Sequence, residues 1–144
     1  MIIVFLVIDI NSHYSVMLCG EILMKYAILY TDQDGESHFK DGDLEFESVN
    51  FAPPAPPVEL TSYIQVSRLV FFRLPSGWFG DWHPAPRRQF FCCLSGEFEF
   101  TTTDGETRVF GPGEVFLLED TWGKGHNSRI TSKEDFVAAI IQLA

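Results

Sequence analysis

The sequence predicts an all-β domain, and three observations support this fold class. Short apolar or aromatic runs alternate with turn residues along most of the 144-residue chain, which is the rhythm of strands and hairpins. Hydrophobic residues make up 46% of the chain and include 14 Phe, so there is enough apolar side chain for a closed core. Helical periodicity is weak and confined to the N-terminus. Many short strands with few helices predict a sandwich or a small barrel whose interior can hold one ligand.

The first 23 residues stand apart from this pattern. Residues 1–10 are apolar, but they lack a basic region and are too short to span a bilayer, so they fit neither a signal peptide nor an anchor. Met24 begins the sequence Met-Lys-Tyr-Ala-Ile-Leu-Tyr, which is typical of a protein start. We therefore expect residues 1–23 to be an N-terminal extension outside the core.

Eight strands are expected after Met24. They are residues 26–30, 44–51, 66–74, 89–94, 98–102, 107–110, 115–118 and 136–143. Turns are predicted at Asp34-Gly35, Asp41-Gly42, Asp104-Gly105 and Pro112-Gly113, because Asp-Gly between two strands favours a type I′ turn. The Pro-rich segment 51–57 is expected to be an extended strap rather than a ligand for an SH3-type domain. The predicted organisation is N-terminal strands and this strap over residues 24–65, followed by a barrel over residues 66–144.

The charge of the chain argues against two classes of partner. The formal net charge of -10 opposes nucleic acid, because binding phosphates requires clustered Lys and Arg. An acidic surface also repels anionic lipid, so we expect no membrane partner. Arg87 and Arg88 can still make a single pocket locally positive.

The cysteines indicate a reduced, cytoplasmic protein. Cys19, Cys92 and Cys93 form an odd set without the spacing of a disulfide framework, and adjacent residues on a strand point to opposite faces. Their simplest role is that of small buried hydrophobic residues.

The stretch from Gly77 to Gly96 carries the spacing of a metal-binding motif. Gly77, His83, Ala85, Gln89 and Gly96 fall where the first motif of the cupin superfamily has Gly, His, His, Glu and Gly, with every gap preserved. In this respect the chain resembles the small single-domain RmlC-like cupins. The resemblance implies a cupin double-stranded β-helix, that is, a jelly-roll barrel, covering roughly residues 66–143.

A second motif of the family is matched further along the chain. Gly113 is followed, after five residues, by Glu119 at the position of the family's Pro, and a turn somewhat longer than usual then reaches His126. The resemblance therefore implies that His126 is the third histidine of the site. Strand alternation would place His83, Ala85 and Gln89 on one face of the sheet, which in resembling proteins is the barrel interior.

The family's metal site is only partly retained. A full site offers three imidazoles and one carboxylate, which suit a divalent transition metal such as Fe, Mn, Ni or Zn. Ala85 cannot ligate, and Gln89 offers only a neutral carbonyl oxygen. The resemblance leaves two alternatives: a metal held by His83, Gln89 and His126, or two histidines that form hydrogen bonds without metal.

Aromatic and basic residues near both motifs suggest how a ligand would be bound. Trp78, Trp82 and Trp122 flank the motifs, where they would line a cavity for a ring-bearing or apolar ligand, or else pack in the core. Alternation places either Arg87 or Arg88 inward, to pair with Glu119, Asp120 or an anionic group of the ligand.

Two classes of function follow for a small organic molecule bound in the barrel. In the first, His83 or His126, with Glu119 or Asp120 nearby, performs the acid–base chemistry of an isomerase or lyase, with a metal-dependent dioxygenase as a less favoured form. In the second, the chain is a non-catalytic metabolite-binding module, and the fold alone does not choose between them.

Because strand edges favour pairing between subunits, a homodimer is predicted.

Overall fold

The computed structural model describes residues 23–144, which contain twelve β-strands and no α-helix. In chain order the strands are β1 Leu23–Thr31, β2 Ser37–Glu45, β3 Glu47–Val49, β4 Val58–Leu60, β5 Val66–Leu74, β6 Phe79–His83, β7 Gln89–Ser95, β8 Phe98–Thr101, β9 Thr107–Phe110, β10 Val115–Leu118, β11 His126–Ile130 and β12 Phe136–Leu143. The all-β prediction is confirmed. Within this part of the chain there is no helix of the length and apolar character needed to cross a membrane. The predicted N-terminal extension lies outside the described residues, apart from Leu23.

The described residues form two compact units. One consists of residues 25–44 and 63–144, and the other of residues 23–24 and 45–62. In the smaller unit β3 pairs antiparallel with β4, with Glu47 opposite Leu60 and Val49 opposite Val58. The Pro-rich segment connects these two strands and is exposed, and within it the Ala55 N–H donates a hydrogen bond of 3.0 Å to the Ala52 carbonyl. The segment therefore contains a turn.

The larger unit consists of two sheets that face each other in a jelly roll. The six-stranded sheet has the order β2-β1-β10-β7-β12-β5, and the four-stranded sheet has the order β6-β11-β8-β9. Strand β1 runs parallel to β10, whereas β10–β7, β7–β12 and β12–β5 are antiparallel pairs. Strands β11–β6, β11–β8 and β8–β9 are antiparallel as well.

Phenylalanine side chains fill the space between the two sheets. Phe91 and Phe116 on the six-stranded sheet stack with ring centroids 4.8 Å apart. Phe100 on the four-stranded sheet meets Phe116 edge-on at 5.0 Å, and Phe98 lies 4.8 Å from Phe136. Aromatic pairs at these separations add to the stability gained by burying the rings. The part of the interior that these rings occupy is a packed core.

Strands of strong apolar character were predicted well, and polar strands were not. Predicted strands 66–74, 107–110, 115–118 and 136–143 coincide with β5, β9, β10 and β12 at both ends. The single strand predicted over residues 44–51 is wrong, since β2 ends at Glu45 and β3 covers only Glu47–Val49. The predictions did not include β4, β6, β11 or residues 37–43 of β2.

The predicted turn at Asp41-Gly42 is also wrong, because both residues lie inside β2. A Cβ atom on Gly42 would approach the Tyr26 ring to 2.7 Å and the Ile28 side chain to 2.9 Å. This glycine therefore serves close packing rather than chain reversal, which is a known use of glycine in strands. The other three predicted turns each contain a glycine with positive φ, at Gly35, Gly105 and Gly113.

Candidate functional site

Pairing between β6 and β11 brings two histidines together. His83 ends β6, His126 begins β11, and the two residues lie directly opposite each other in the antiparallel register. Their ring centroids are 4.8 Å apart, with an angle of 58° between the ring planes. The two motifs, more than 40 residues apart in sequence, thus meet at one point of the four-stranded sheet.

Close contact between two backbone segments fixes this juxtaposition. Gly125 precedes His126 and has a φ of +69°, and a Cβ atom there would lie 2.1 Å from the carbonyl carbon and oxygen of His83. Only glycine fits, because the close approach and the left-handed backbone both exclude a side chain. The Ser37 hydroxyl donates to the Gly125 carbonyl at 2.6 Å and holds the same turn from the side of β2.

A buried carboxylate orients His126. The imidazole is 2% exposed, and its Nδ1 lies 2.6 Å from Oδ2 of Asp120, which is fully buried. The backbone of Asp120 is held in place, since its carbonyl accepts a hydrogen bond of 2.9 Å from the Ala85 N–H. With Nδ1 donating to the carboxylate, Nε2 of His126 is the nitrogen that can accept a proton.

Asp120 itself is in an unusual environment. Burial raises the pKa of its carboxyl group, and the hydrogen bond from His126 acts in the opposite direction. The second oxygen, Oδ1, is buried and has no hydrogen-bond partner among the residues that the structure describes. A buried polar atom without a partner is costly, so such atoms are uncommon outside functional sites.

His83 is exposed but is also oriented. Its Nδ1 lies 2.5 Å from the backbone carbonyl of Asp81. A carbonyl only accepts, so Nδ1 must carry the hydrogen and Nε2 is again the free nitrogen. The site therefore presents one buried and one solvent-accessible imidazole, each fixed in the same tautomer by a different acceptor.

Glu119, predicted to assist catalysis, lies beside an arginine. Its Oε1 accepts hydrogen bonds from Nη2 and Nε of Arg88 at 2.5 and 3.2 Å. Arg88 is thus the arginine of the pair that meets Glu119, and it does so at the surface, since Arg87 and Arg88 are both exposed. The carboxylate next to His126 is Asp120. The sequence analysis named both Glu119 and Asp120, and Asp120 is the one that contacts the imidazole of His126.

The remaining two positions of the family motif are occupied by core residues. Ala85 is 2% exposed and belongs to the hydrophobic core cluster. Gln89 is 5% exposed, and its Oε1 accepts a hydrogen bond of 3.2 Å from Nε2 of Gln142 on β12. Ala85 brings no donor atom, and the oxygen of Gln89 is already engaged within the protein.

These residues do not fit a transition-metal cofactor. Metal-bound histidines usually have their second nitrogen hydrogen-bonded to a carboxylate or carbonyl, as His126 and His83 do here. Zinc sites in proteins use three or four protein ligands. Among residues 23–144 there is no group of three or more His, Cys, Asp or Glu side chains placed to hold a metal ion.

The three tryptophans occupy different surroundings. Trp78 is half-buried and meets Phe98 edge-on at 6.1 Å, so it packs against the core. Trp82 and Trp122 are 46% and 52% exposed. Trp82 lines an open depression of about 440 Å³ together with Glu36, Thr103 and Lys124, and Lys124 forms an ion pair with Glu36. His83 and His126 are not among the residues that line this depression, although Trp82 and Lys124 are close to them in sequence.

A second histidine cluster lies in the same unit. His38, which the sequence did not single out, bridges two acids: its Nε2 lies 2.8 Å from Asp32 and its Nδ1 lies 2.7 Å from Asp104. Hydrogen bonds to both acids raise the pKa of His38, and the Thr102 hydroxyl is the main cause that lowers the pKa of Asp104 to about 2. The local sequence does not indicate this cluster, since Asp104 comes from a different hairpin from Asp32 and His38.

The cysteines on β7 lie in an unreactive environment. Burial raises the pKa of both thiols, and that of Cys93 reaches about 12. A thiol with such a pKa holds almost no thiolate at neutral pH, and the thiolate is the reactive form. Cys92 and Cys93 therefore act as small apolar side chains.

A comparison with family models agrees with the fold. A family model for the cupin domain matches residues 70–141. A search of curated proteins finds no match. Among solved structures, the chain is similar to a conserved protein of unknown function from Streptococcus pyogenes, with 21% identity, a TM-score of 0.41, and coverage of 52% of this chain and 61% of that one. The chain thus spans less than two thirds of that protein.

Two further solved structures are named as cupin domains. One comes from Bordetella pertussis Tohama I and has 20% identity and a TM-score of 0.43, with coverage of 57% of this chain and 90% of that one. The other is the Cnp3 cupin domain of Schizosaccharomyces pombe, with 16% identity, a TM-score of 0.43, and coverage of 86% of this chain and 84% of that one.

Proposed function

The chain belongs to the cupin family, and on that premise we propose that it transfers protons to and from a small organic molecule, using His83 and His126 without a metal. The observation that supports this proposal is the bond of 2.6 Å between His126 Nδ1 and the buried carboxylate of Asp120, beside a second oriented imidazole. Acid–base catalysis requires groups of this kind, with the free nitrogen aimed by a fixed partner.

The environments of the two imidazoles suggest different roles. His126 is buried, and its Nδ1–H is held by the Asp120 carboxylate, so its free Nε2 is suited to take a proton from the ligand. His83 is exposed and can exchange its proton with water, so it is suited to deliver one. Asp120 is a positioning residue, because it acts on the ligand only through His126.

The proposed step balances protons between the two histidines. His126 Nε2 accepts a proton from the ligand and becomes an imidazolium, while protonated His83 donates the proton on its Nε2 to a different atom of the ligand. Transfer between two atoms of one ligand is an isomerisation. Protonation of a leaving group after the first transfer would make the reaction an elimination, as in a lyase. Neither the isomerisation nor the elimination uses a metal.

The open depression lined by Trp82 and Lys124 supports binding of a ligand with a planar or apolar part. Trp82 offers an exposed aromatic face there, and Lys124 and Glu36 offer opposite charges. Aromatic faces with a few polar groups are typical of small-molecule sites. The same features also favour the second candidate function, a binding module that performs no chemistry.

A thermal-shift screen of small carboxylates, phosphates and sugars tests the site. A ligand of the histidine pair should raise the melting temperature of the wild type but not that of His83→Ala. It should also raise that of the control His38→Gln, because His38 lies outside the histidine pair. The size of the shift follows from the ratio of ligand concentration to Kd. Equal stabilisation of His83→Ala by every hit would refute the proposed site.

Hydrogen exchange separates the catalyst from the binding module. A ligand found in the screen is incubated with the protein in D2O and followed by NMR. Deuterium incorporation that depends on His126, tested with His126→Gln, supports proton transfer. Binding without incorporation supports the non-catalytic module instead.

A further inference from the structure

The open depression in the larger unit brings an aromatic ring together with two opposite charges. It has a volume of about 440 Å³ and is lined by Glu36, Trp82, Thr103 and Lys124. Glu36 lies in the turn between β1 and β2, and Trp82 lies on β6. Thr103 lies in the turn between β8 and β9, and Lys124 lies in the turn before β11. Four separate segments of the chain therefore contribute one side chain each.

A buried serine fixes the backbone around the depression. The fully buried Ser37 hydroxyl donates to the Gly125 carbonyl at 2.6 Å and accepts from the Thr103 N–H at 2.9 Å. The Thr103 hydroxyl in turn accepts from the Ser37 N–H at 2.7 Å. The Lys124 N–H donates to the Gly35 carbonyl at 2.9 Å. The turns that form the depression are thus tied together in the free protein, which lowers the entropic cost of binding a ligand there.

Lys124 and Glu36 supply full and opposite charges. They form an ion pair in which the lysine side chain is 64% exposed and the glutamate side chain 34%. Hydrogen bonds from Lys124 and, to a smaller extent, from Thr103 lower the pKa of Glu36, so its carboxylate is ionised at neutral pH. An ammonium group has three donors and a carboxylate has two acceptor oxygens. Each member of the pair can therefore bind a ligand group while the pair itself remains.

Trp82 supplies an aromatic face in the same depression. Its side chain is 46% exposed, so part of the ring is free for contact with a ligand. An indole face stacks with planar groups and also attracts cations. It therefore suits a ligand that combines an ammonium group with a planar part.

The charge of the whole molecule narrows the class of ligand. A net charge of -10 repels a simple anion that approaches Lys124. A simple cation that approaches Glu36 is repelled by the neighbouring Lys124. A zwitterion has no net charge, and it can place its carboxylate at Lys124 and its ammonium group at Glu36. Its two charges then alternate with those of the protein.

We propose that the depression binds a small zwitterion of the amino-acid type that carries an aromatic or other planar side group. Lys124 binds its carboxylate, Glu36 binds its ammonium group, and Trp82 packs against its side group. The inference rests on the proposed function in one respect, since it specifies the ligand class for the depression that the proposed function uses. The binding itself requires neither His83 nor His126.

An NMR titration of the full chain with L-phenylalanine tests the location of the site. For a ligand of this size in an open depression, we expect a Kd of about 1 mM. The indole N–H signal of Trp82 should shift, whereas that of Trp122, which is 52% exposed but does not line the depression, should not. Loss of one signal in Trp82→Phe and in Trp122→Phe assigns the two. An unchanged Trp82 signal at about ten times the expected Kd, or equal shifts of both signals, would overturn the proposal.

Two relatives of L-phenylalanine test the charge pattern in the wild type. 3-Phenylpropionate lacks the ammonium group, and phenethylamine lacks the carboxylate. Each should bind about three- to tenfold more weakly than L-phenylalanine, because each loses one charge-assisted hydrogen bond in a partly exposed site. Equal affinity for all three compounds would show that the charges of the depression do not select the ligand.

Variants of the ion pair assign each charge to its partner. Glu36→Gln should remove most of the preference over 3-phenylpropionate, and Lys124→Met should remove most of the preference over phenethylamine. Lys25→Met is the matched control, because Lys25 is an exposed lysine paired with Asp43 and lies outside the lining of the depression. It should bind all three compounds as the wild type does. Unchanged preferences in both Glu36→Gln and Lys124→Met would refute the assignment, and thermal melting checks that each variant is folded.

The outcomes also separate this site from the chemistry of the histidines. His126→Gln should bind L-phenylalanine as tightly as the wild type. Binding that depends on Glu36 and Lys124, without deuterium incorporation from D2O, would support the zwitterion site and count against proton transfer. A failure of L-phenylalanine to bind would overturn the zwitterion site. Proton transfer would still be supported if another ligand exchanged hydrogen through His126.

Discussion

At the scale of single residues, the histidine pair depends on a glycine that the sequence pattern did not single out. Gly125 lies in the turn that was expected to precede His126, and its backbone packs on the carbonyl of His83. The histidines themselves could be chosen from motif spacing, because the spacing reflects the strands that carry them. The partners of those histidines could not be predicted from the sequence. Asp81 acts through its backbone, and Glu119 and Asp120 are adjacent acids that differ only in their surroundings.

Replacing Gly125 by alanine should destabilise the protein strongly and separate the two imidazoles. A Cβ atom would clash with the His83 carbonyl at 2.1 Å, and φ is +69°. We expect a loss of roughly 2–4 kcal/mol in the free energy of unfolding, measured by urea denaturation. Gly113→Ala is the matched control. Its φ is +87° but nothing lies within 4 Å of the added methyl group, so only the backbone cost of about 1 kcal/mol is expected. Equal losses for the two variants would show that the contact with His83 is unimportant.

Replacing Asp120 by asparagine should impair proton transfer more than folding. The amide oxygen can still accept from His126 Nδ1, but it cannot stabilise an imidazolium as a carboxylate does. For a ligand identified by the thermal-shift screen, we expect at least about a 100-fold fall in the rate of deuterium incorporation with little change in Kd. Glu119→Gln, which alters the acid bound by Arg88, should have a smaller effect on this rate. A larger effect of Glu119→Gln would favour the acid predicted from the motif.

At the scale of strands and turns, the sequence was most informative where apolar residues follow one another along the strand. Strands β10 and β12 are rich in aliphatic residues, and their ends were predicted correctly. Strand β2 has the sequence Ser-His-Phe-Lys-Asp-Gly-Asp-Leu-Glu and lacks a continuous apolar pattern, so propensity alone favours a turn. Its place at the edge of the sheet and its contacts with β1 outweigh that preference. Strand β11 was missed for a related reason, because His-Asn-Ser-Arg-Ile carries only one strongly apolar residue.

The His38 cluster ties two turns of the larger unit together and should make stability depend on pH. The hydrogen bonds raise the pKa of His38 above its ordinary value of 6.5, so the stabilisation is complete below that pH and declines as the pH rises through the raised pKa. The pKa of Asp104 is lowered from 3.8 to about 2, so its contribution is present above pH 3.8 and declines towards pH 2. The cluster should therefore stabilise the fold most between about pH 4 and 6.5.

His38→Gln reports this dependence. At pH 5.5 we expect it to lower the melting temperature by a few degrees, roughly 2–4 °C, since partly exposed ion pairs contribute little. At pH 9 the difference from the wild type should be clearly smaller. His83→Gln removes a histidine outside the cluster and serves as the control, with no such change expected between the two pH values. A wild-type advantage that is equal at both pH values would rule out the ion pairs as its source.

At the scale of the whole molecule, the cupin fold is retained, whereas only part of the donor set of the family's metal site is present. Spacing predicts the fold because it fixes strand lengths and turns, and these do not depend on whether a given position holds histidine or alanine. The chemistry depends on single side chains, and Ala85 shows the difference: it keeps its position in the motif but belongs to the hydrophobic core. The fold could therefore be predicted from the sequence, whereas the role of each site residue required the surroundings that folding creates.

The metal content of the purified protein tests this difference between fold and chemistry. Two imidazoles and an amide oxygen that is already hydrogen-bonded form a weak site, so elemental analysis should find well below one equivalent of Fe, Mn, Ni or Zn per chain. Gln89→Glu restores a carboxylate at the family's position, and after incubation with Zn²⁺ it should retain more metal than the wild type. Near-stoichiometric metal in the wild type that is lost in His126→Ala would show instead that the two histidines hold a metal. In that case acid–base chemistry by free imidazoles would be excluded, because the nitrogens needed for proton transfer would be ligands.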